Sequence, residues 1–248
     1  MNFRLTALAA LFAMQQAAAA DLTVAVAANL QYAFEALARD FTQRTGLTVE
    51  PSYNSSGKFA AQIQNGAPFD VFLSADREFP DRLAASGQAA GAPRVYARGV
   101  LVLWTAGDAD LSDWPKLLRE GTGKVAIANP DTAPYGREAV NLLRHYRLLE
   151  RVKPRLVYGE SIGQTTQFIE SRAAEAGFTA KSLVLGPTLQ GKGRWVELPA
   201  GSYRPIAQAV IITRYGATHA PTQARKFVDY LFTPAAQAVF ARFGYLKP

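Results

Sequence analysis

The chain has 248 residues, no cysteine and a formal net charge of +7 at pH 7. The absence of cysteine excludes disulfide bridges and thiolate metal sites. Its basic residues are scattered singly or in pairs such as Arg225-Lys226, without the basic stripe or aromatic motif of a nucleic-acid binder, so we expect a solvated basic surface and no nucleic-acid partner.

The first twenty residues have the pattern of a secretory signal. Arg4 provides the positive charge, Leu5 to Met14 form a short apolar run, and Ala18-Ala19-Ala20 is a small-residue cleavage site. The apolar run is shorter than the roughly 20 residues that span a bilayer, so an uncleaved membrane anchor is the weaker alternative. We therefore predict an exported, periplasmic protein that is cleaved after Ala20.

The rest of the chain alternates between predicted strands and predicted helices. Residues 21–26 are apolar and β-branched, which favours a buried parallel strand. Asn29 is a favoured N-cap, and the apolar residues after it recur at helical spacing as far as Gly46. Further strands are predicted at 70–74, 100–104, 125–128 and 207–213, and further helices after 55–57, after 133–136, and at 223–232 and 235–243.

This alternation predicts the α/β class, with mainly parallel sheets that carry helices on their faces. Periodicity alone leaves two arrangements open, a single doubly wound domain or two lobes joined by strands that pass between them. No repeat or low-complexity linker divides the chain. The predicted strands at 100–104 and 207–213 are the candidates for the crossing.

Four strand-to-helix junctions have small or polar residues where the helix begins. The first N–H groups of a helix have no partner within it and lie at the positive end of its dipole, which favours anion binding. In open α/β sheets these junctions lie at the carboxyl ends of strands, where ligands bind. Helix capping alone is the alternative for any single junction. The junctions are Ala28-Asn29-Leu30, Asn54-Ser55-Ser56-Gly57, Ala133-Pro134-Tyr135-Gly136 and Glu160-Ser161-Ile162-Gly163-Gln164.

Several stretches of the sequence together resemble the periplasmic molybdate-binding proteins of ABC importers, over essentially the whole mature length. The most specific block joins Asn65-Gly66-Ala67-Pro68 to Phe72-Leu73-Ser74-Ala75-Asp76. The other matching stretches are Val24-Ala25-Val26-Ala27-Ala28-Asn29, Ser55-Ser56-Gly57, Leu101-Val102-Leu103-Trp104, Asn129-Pro130 with Ala133-Pro134-Tyr135-Gly136, and Phe243-Gly244-Tyr245.

The resemblance implies a two-lobed type II periplasmic-binding fold, in which each lobe is a mainly parallel sheet flanked by helices and crossover strands join the lobes. It implies that residues 21–99 and 206–248 form lobe 1 and that residues 100–205 form lobe 2. The implied function is capture of molybdate, and also of tungstate, for delivery to the membrane permease of an ABC importer. We accordingly expect a monomer that is not an enzyme and has no cofactor and no metal other than the one in the oxyanion.

The resemblance also implies four residues that bind the oxyanion through uncharged groups. Asn29 and Ser56 contribute from the first lobe, and Tyr135 and Ile162 from the second, Ile162 through its backbone N–H. The sequence departs from the family pattern at two positions. Ala180 stands where many members have a tyrosine, and Ala28 stands where the branch with the Pro-Tyr-Gly turn has a hydroxyl, so we expect one donor fewer.

Alternative functions remain open from the sequence. Another oxyanion such as sulfate or chromate, or a small organic acid, is the strongest rival ligand, and a sensor or adaptor domain is a third class. Phosphate is disfavoured because no Asp or Glu occupies a proposed contact position. Ser55-Ser56-Gly57-Lys58 satisfies the S-x-x-K motif of serine enzymes, but the companion S-D-N and K-T-G motifs are absent.

Overall fold

The computed structural model describes residues 20–248, so the predicted signal sequence lies, except for Ala20, outside the described residues. Within that range the strands are Leu22–Ala27 (β1), Val49–Asn54 (β2), Val71–Leu73 (β3), Arg94–Gly99 (β4), Leu101–Thr105 (β5), Val125–Ala128 (β6), Leu156–Gly159 (β7), Ala176–Ala180 (β8), Arg194–Glu197 (β9) and Ile206–Ile212 (β10). The α-helices are Gln31–Thr45 (α1), Ser56–Gln64 (α2), Glu78–Ala85 (α3), Trp114–Glu120 (α4), Pro134–His145 (α5), Leu149–Val152 (α6), Ile162–Glu170 (α7), Lys181–Val184 (α8), Arg214–His219 (α9), Pro221–Tyr230 (α10) and Pro234–Arg242 (α11).

These strands form two separate five-stranded sheets, which confirms the α/β class and excludes a single doubly wound sheet. The strand orders are β2-β1-β3-β10-β4 and β7-β6-β8-β5-β9. In each sheet four strands run in one direction, as the prediction of mainly parallel sheets requires. The fifth strand, β10 in one sheet and β5 in the other, is antiparallel to both of its neighbours.

The two reversed strands follow from how the chain passes between the sheets. Strand β4 ends at Gly99, and β5 begins at Leu101 in the other sheet. The chain returns at Ile206, where β10 begins. A strand that starts where the chain enters a sheet runs away from the other sheet, whereas the remaining strands run towards it. We keep the division into residues 21–99 with 206–248 (the first lobe) and residues 100–205 (the second lobe) as a proposal.

Helix α1 has the amphipathic pattern predicted from the sequence, and the apolar residues of that pattern are buried. Its buried residues include Phe34, Leu37 and Phe41, and the Phe34 and Phe41 rings meet the Phe227 ring of α10 edge to face. Gly46 ends the helix with a φ of 74°, the left-handed conformation that glycine adopts without a steric cost. The helix therefore covers the first sheet and fixes the position of the turn before it.

No helix within residues 20–248 combines the length and the apolar character needed to cross a membrane.

Candidate functional site

A small cavity lies between the two sheets, at the carboxyl ends of strands from both lobes. Its volume is about 10 Å³, far below the roughly 300–1,000 Å³ of pockets that hold drug-sized organic ligands. The four residues predicted from the sequence line it together, with Ala28 and Ser55 beside them: Asn29, Ser56, Tyr135 and Ile162. The size of the cavity favours a ligand of few atoms.

Ser56 begins helix α2, and its hydroxyl oxygen is fixed by a neighbouring loop. The N–H of Ala75 donates to Ser56 Oγ at 2.9 Å, and the residue is 1% exposed. A serine hydroxyl has one proton to donate. Because Oγ already serves as an acceptor on one side, its proton is available to a ligand in the cavity.

Ser55 was not singled out as a contact from the sequence, yet the structure places it at the cavity. It occupies the N-cap position of α2, but its side chain makes no capping hydrogen bond. The buried Oγ has no partner among the described residues. Burying such a hydroxyl without a partner costs about 1–3 kcal/mol. An acceptor bound in the cavity would remove that cost.

Asn29 lies in a short 3₁₀ turn, Ala28–Leu30, between β1 and α1. The prediction that it caps α1 is wrong, because this turn separates it from the helix and α1 has no side-chain cap. Its side chain instead faces a buried network, in which Nδ2 lies 2.9 Å from both Gln208 Oε1 and the Tyr245 hydroxyl. Asn29 Oδ1 is buried and unpaired among the residues described.

Tyr135 is the second residue of helix α5 and lines the cavity from the second lobe. Its buried hydroxyl accepts a hydrogen bond from Gln208 Nε2 at 3.2 Å. Burial, and then the nearby Tyr245, raise the pKa of this hydroxyl well above its usual value, so the group is neutral at physiological pH. The side chain thus faces the network behind the cavity, and the backbone N–H of Tyr135 is the donor that α5 offers to a ligand.

The neighbours of Tyr135 explain the Pro-Tyr-Gly sequence. Pro134 occupies the first turn of α5, where a missing N–H costs nothing. A Cβ at Gly136 would lie 2.0 Å from the Ala128 carbonyl oxygen. Only glycine therefore allows the start of α5 to sit this close to the end of β6, which brings the Tyr135 N–H to the cavity.

Ile162 is the first residue of helix α7. The preceding Ser161 caps the helix, and its side chain accepts a hydrogen bond from the Gln164 N–H at 3.3 Å. The cap therefore uses a later N–H of the first turn and leaves that of Ile162 without an intrahelical partner. Ile162 lines the cavity, and its side chain is 4% exposed.

The residues that line the cavity include no acid, lysine, arginine or histidine. Lys58, near the start of α2, forms an ion pair with Glu160. Its ammonium group is therefore not committed to Ser55, as the serine-enzyme interpretation of the S-x-x-K motif would require. Within residues 20–248 no group of His, Asp and Glu side chains is arranged to hold a metal ion. Neutral donors and helix N-termini suit an anion that carries no proton of its own.

The two lobes touch around the cavity. The N–H of Gly57, in α2, donates to the carbonyl oxygen of Thr132 in the second lobe at 2.8 Å. Arg137, in α5, donates to Asp76 of the first lobe at 2.5 Å. A Cβ added at Gly57 would lie 2.8 Å from the Thr132 Cα. This arrangement is closed, with donors from both lobes facing one small space.

The structure brings all four predicted residues to this cavity, while their role as ligand contacts stays a prediction. Ala28 lines the cavity as expected, but Ala180 is buried at the end of β8 and is not among the lining residues. The sequence reasoning missed the free hydroxyl of Ser55 and the buried Gln208. A serine before a helix predicts an ordinary N-cap, and a single glutamine within a strand does not indicate any function.

Comparison with known proteins gives close matches over nearly the whole chain. A family model for bacterial extracellular solute-binding proteins matches residues 22–246. The chain is 42% identical over 232 residues to a molybdate-binding protein of Azotobacter vinelandii, covering 92% of this chain and 91% of that protein. It is 38% identical over 231 residues to a molybdate-binding protein of Rhodobacter capsulatus, covering 93% of this chain and 90% of the relative.

Solved structures agree with this comparison. The periplasmic molybdate-binding protein of Azotobacter vinelandii superposes with a TM-score of 0.86 at 36% identity, over 92% of this chain and 99% of that one. A sulfate-binding protein from Mycobacterium tuberculosis superposes with a TM-score of 0.70 at 18% identity, over 90% and 85% of the two chains. The second likeness shows that the fold is shared and says nothing about the ligand.

Proposed function

We propose that this chain, which belongs to the family of bacterial extracellular solute-binding proteins, captures molybdate and delivers it to the membrane permease of an ABC importer. The observation that carries the proposal is the cavity between the lobes, where hydroxyls, an amide and helix N-termini converge without a charged side chain. Relatives that are 38% and 42% identical over nine-tenths of this chain are molybdate-binding proteins. This is a binding function, not an enzymatic one.

The absence of a carboxylate at the cavity favours a fully deprotonated anion over phosphate. Phosphate keeps a proton near neutral pH, and that proton needs an acceptor such as a buried carboxylate. Molybdate, tungstate and sulfate carry no proton there, so each can accept hydrogen bonds at every oxygen. We extend the proposal to tungstate, which matches molybdate in charge and shape, and keep sulfate and chromate as the rival ligands.

The donor set is sufficient for tight binding. A hydrogen bond to a charged group contributes about 1.5–3 kcal/mol. Five donors, namely the side chains of Asn29, Ser55 and Ser56 and the N–H groups of Tyr135 and Ile162, together contribute about 7.5–15 kcal/mol before the cost of desolvating the ion, a range that reaches well beyond the roughly 8 kcal/mol of micromolar affinity. The free hydroxyl of Ser55 compensates for the donor that Ala28 lacks.

We further propose that the chain works as a monomer in the periplasm after cleavage behind Ala20. The cleavage pattern at residues 18–20 supports export. A single chain contains all the residues that line the cavity, so no second copy is needed to complete the site. Mass spectrometry of the exported protein, with Asp21 expected at the new N-terminus, tests the cleavage position.

We expect molybdate and tungstate to raise the melting temperature of the mature chain, because a ligand that binds only the folded state stabilises it. At 1,000 times the dissociation constant the stabilisation is about 4.1 kcal/mol, which corresponds to roughly 8–16 °C for a protein of this size. The test is a melting series with molybdate, tungstate, sulfate, chromate and phosphate at equal ionic strength. A shift with sulfate and none with molybdate would reassign the ligand.

Replacing Ser55 with alanine is expected to weaken molybdate binding by about tenfold, the loss of one modest hydrogen bond to a charged group. The ligand-free protein should be no less stable than the wild type, because the change removes a buried hydroxyl without a partner. Calorimetric titration and ligand-free melting measure the two effects separately.

Thr132→Val is the matched control for Ser55→Ala. Thr132 Oγ1 is also buried and without a partner among the described residues, but Thr132 is not among the residues that line the cavity. The valine variant should keep the affinity of the wild type, because Thr132 contacts Gly57 across the cleft through backbone atoms that the substitution does not change. Equal affinities for the wild type and Ser55→Ala would remove Ser55 from the site.

A further inference from the structure

Gln208 is a buried glutamine behind the cavity that joins residues of both lobes. It lies on β10 with 0% exposure, at a register shift in the pairing of β10 with β4. Such bulges re-aim a side chain locally. Its carboxamide contacts Asn29 at 2.9 Å, Tyr96 at 3.0 Å and Tyr135 at 3.2 Å. Gln208 therefore contacts two residues of the proposed site, Asn29 and Tyr135, and is placed to fix the orientation of their side chains.

The hydrogen bonds around Gln208 are incomplete in the arrangement that the structure shows. Asn29 Nδ2 donates its two protons to Gln208 Oε1 and to the Tyr245 hydroxyl oxygen. Asn29 Oδ1 is then left buried without a donor, among the described residues. Tyr96 has a single proton but two acceptors within reach, Gln208 Oε1 and the Ser74 carbonyl oxygen, each at 3.0 Å.

Turning over both carboxamides in place gives Asn29 Oδ1 a donor, and the Tyr245 hydroxyl then has two acceptors for its one proton, Asn29 Oδ1 and the Asn29 carbonyl oxygen. The oxygen and nitrogen of an amide are similar in size, so this needs no movement of neighbours. Gln208 Nε2 then donates to Asn29 Oδ1 and to Tyr96, which passes its own proton to Ser74. Gln208 Oε1 accepts the proton of Tyr135. Asn29 Nδ2 takes the place of the unpaired oxygen, and its protons are free for an acceptor in the cavity.

We propose that Gln208 is a positioning residue for the oxyanion, whose carboxamide turns together with that of Asn29 so that Asn29 Nδ2 donates to the bound ion. This inference rests on the proposed function, since it needs an anion in the cavity. A ligand that accepts hydrogen bonds from Asn29 Nδ2 stabilises the turned arrangement. Because the turn also gives the Tyr135 hydroxyl a new acceptor, ligand binding in the first lobe is coupled to the start of α5 in the second.

The packing around this network leaves it no room to relax in another way. A Cβ at Gly99 would lie 2.1 Å from the Tyr135 hydroxyl oxygen and 2.6 Å from Gln208 Nε2. Gly99 is the last residue of β4, where the chain leaves the first sheet. The network therefore lies in direct contact with the connection between the lobes, and only glycine fits at position 99.

The test is the pair Gln208→Met and Tyr96→Phe, titrated with molybdate by calorimetry. Gln208→Met keeps the volume but removes both hydrogen-bonding groups, and we expect at least about tenfold weaker binding. Tyr96→Phe removes the acceptor of the second Gln208 proton, which disfavours the turned arrangement, and we expect about three- to tenfold weaker binding although Tyr96 does not line the cavity. Tyr230→Phe, which removes a buried hydroxyl bonded to Asp40, is the matched control and should bind as the wild type does.

A spectroscopic readout separates positioning from a merely structural role. In ¹⁵N-labelled protein the side-chain amide signals of Asn29, assigned by their absence in Asn29→Ala, should shift on adding molybdate. In Gln208→Met that shift should be reduced while the protein remains folded. If the wild type binds molybdate but both variants keep its affinity, the role of Gln208 is overturned and the proposed function stands. The same follows if the wild type binds molybdate and the Asn29 amide signals do not shift. Wild-type protein that binds no oxyanion of the series overturns the proposed function, and this role with it.

Discussion

Replacing Gly57 with valine is expected to weaken molybdate binding by at least about 100-fold, or about 2.7 kcal/mol, while both lobes stay folded. The reason is contact across the cleft. The Gly57 N–H is bonded to the Thr132 carbonyl oxygen at 2.8 Å, and a Cβ at Gly57 would lie 2.8 Å from the Thr132 Cα and 2.9 Å from the Phe79 ring. Valine adds three carbons where one does not fit.

The clash with Thr132 falls on the closed arrangement, whereas the clash with Phe79, a residue of the first lobe, is with the far end of its ring. Gly57 lies in the first turn of α2, at a conformation that other residues adopt there. A bulkier side chain therefore shifts the Phe79 ring in the open protein, and in the closed protein it also separates the donors of the second lobe, Tyr135 and Ile162, from those of the first. Losing two hydrogen bonds to a charged ion costs about 3–6 kcal/mol, so the expected loss is a lower bound.

Calorimetric titration measures the affinity, and small-angle X-ray scattering with and without molybdate measures the closure. Gly57→Ala should give an intermediate loss, because its single Cβ needs a smaller separation. Gly201→Ala is the control, since a Cβ there meets nothing within 4 Å. Wild-type affinity in Gly57→Val would show that the lobes do not close on the ligand as this structure indicates.

Replacing Ser56 with alanine is expected to weaken molybdate binding by roughly 1–3 kcal/mol, about 5- to 150-fold. The Ser56 hydroxyl is held by the Ala75 N–H and has its proton free for the ligand, so it needs no reordering when the ion binds. The ligand-free protein should also lose stability, because the buried Ala75 N–H is left without its acceptor. This second effect distinguishes Ser56 from Ser55.

Tyr135→Phe provides the comparison for Ser56→Ala. Its hydroxyl is bonded to Gln208, and the proposed contact of Tyr135 with the ion is its backbone N–H. The phenylalanine variant should therefore lose less affinity than Ser56→Ala when both are titrated by calorimetry. If Ser56→Ala keeps the wild-type dissociation constant, Ser56 is not a ligand contact.

The parts of the site that could be predicted are those with local signals. A strand followed at once by a helix start has a recognisable sequence, such as Pro134 at the first turn or Gly136 where β6 and α5 approach. The four site residues, which the family resemblance indicated, lie at junctions of this kind, each two to seven positions after a strand end. The prediction of strand β6 at 125–128 agrees with the structure for the same reason.

The missed features depend on contacts between distant parts of the chain. Asn29 and Gln208 are 179 positions apart, and neither residue predicts the other. The preference of Asn for the N-cap position predicts that Asn29 caps a helix. The 3₁₀ turn before α1 instead directs the Asn29 side chain into the buried network. The free hydroxyl of Ser55 could not be foreseen either, since capping is the commoner use of a serine before a helix.

The reversed strands β5 and β10 were likewise beyond sequence patterns. Both are apolar and read as ordinary buried strands. Their direction is set by where the chain crosses between the sheets, which is a property of the whole topology. The resemblance to a known family, and not periodicity, indicated a two-lobed architecture.

The most direct test of this account is calorimetric titration of the mature chain, starting at Asp21, with molybdate, followed by competition with sulfate. We predict one molybdate bound per chain at micromolar affinity or tighter, roughly −8 kcal/mol or below, and no displacement by equal concentrations of sulfate. Heat of binding with sulfate and none with molybdate would contradict the assignment of the cavity to molybdate.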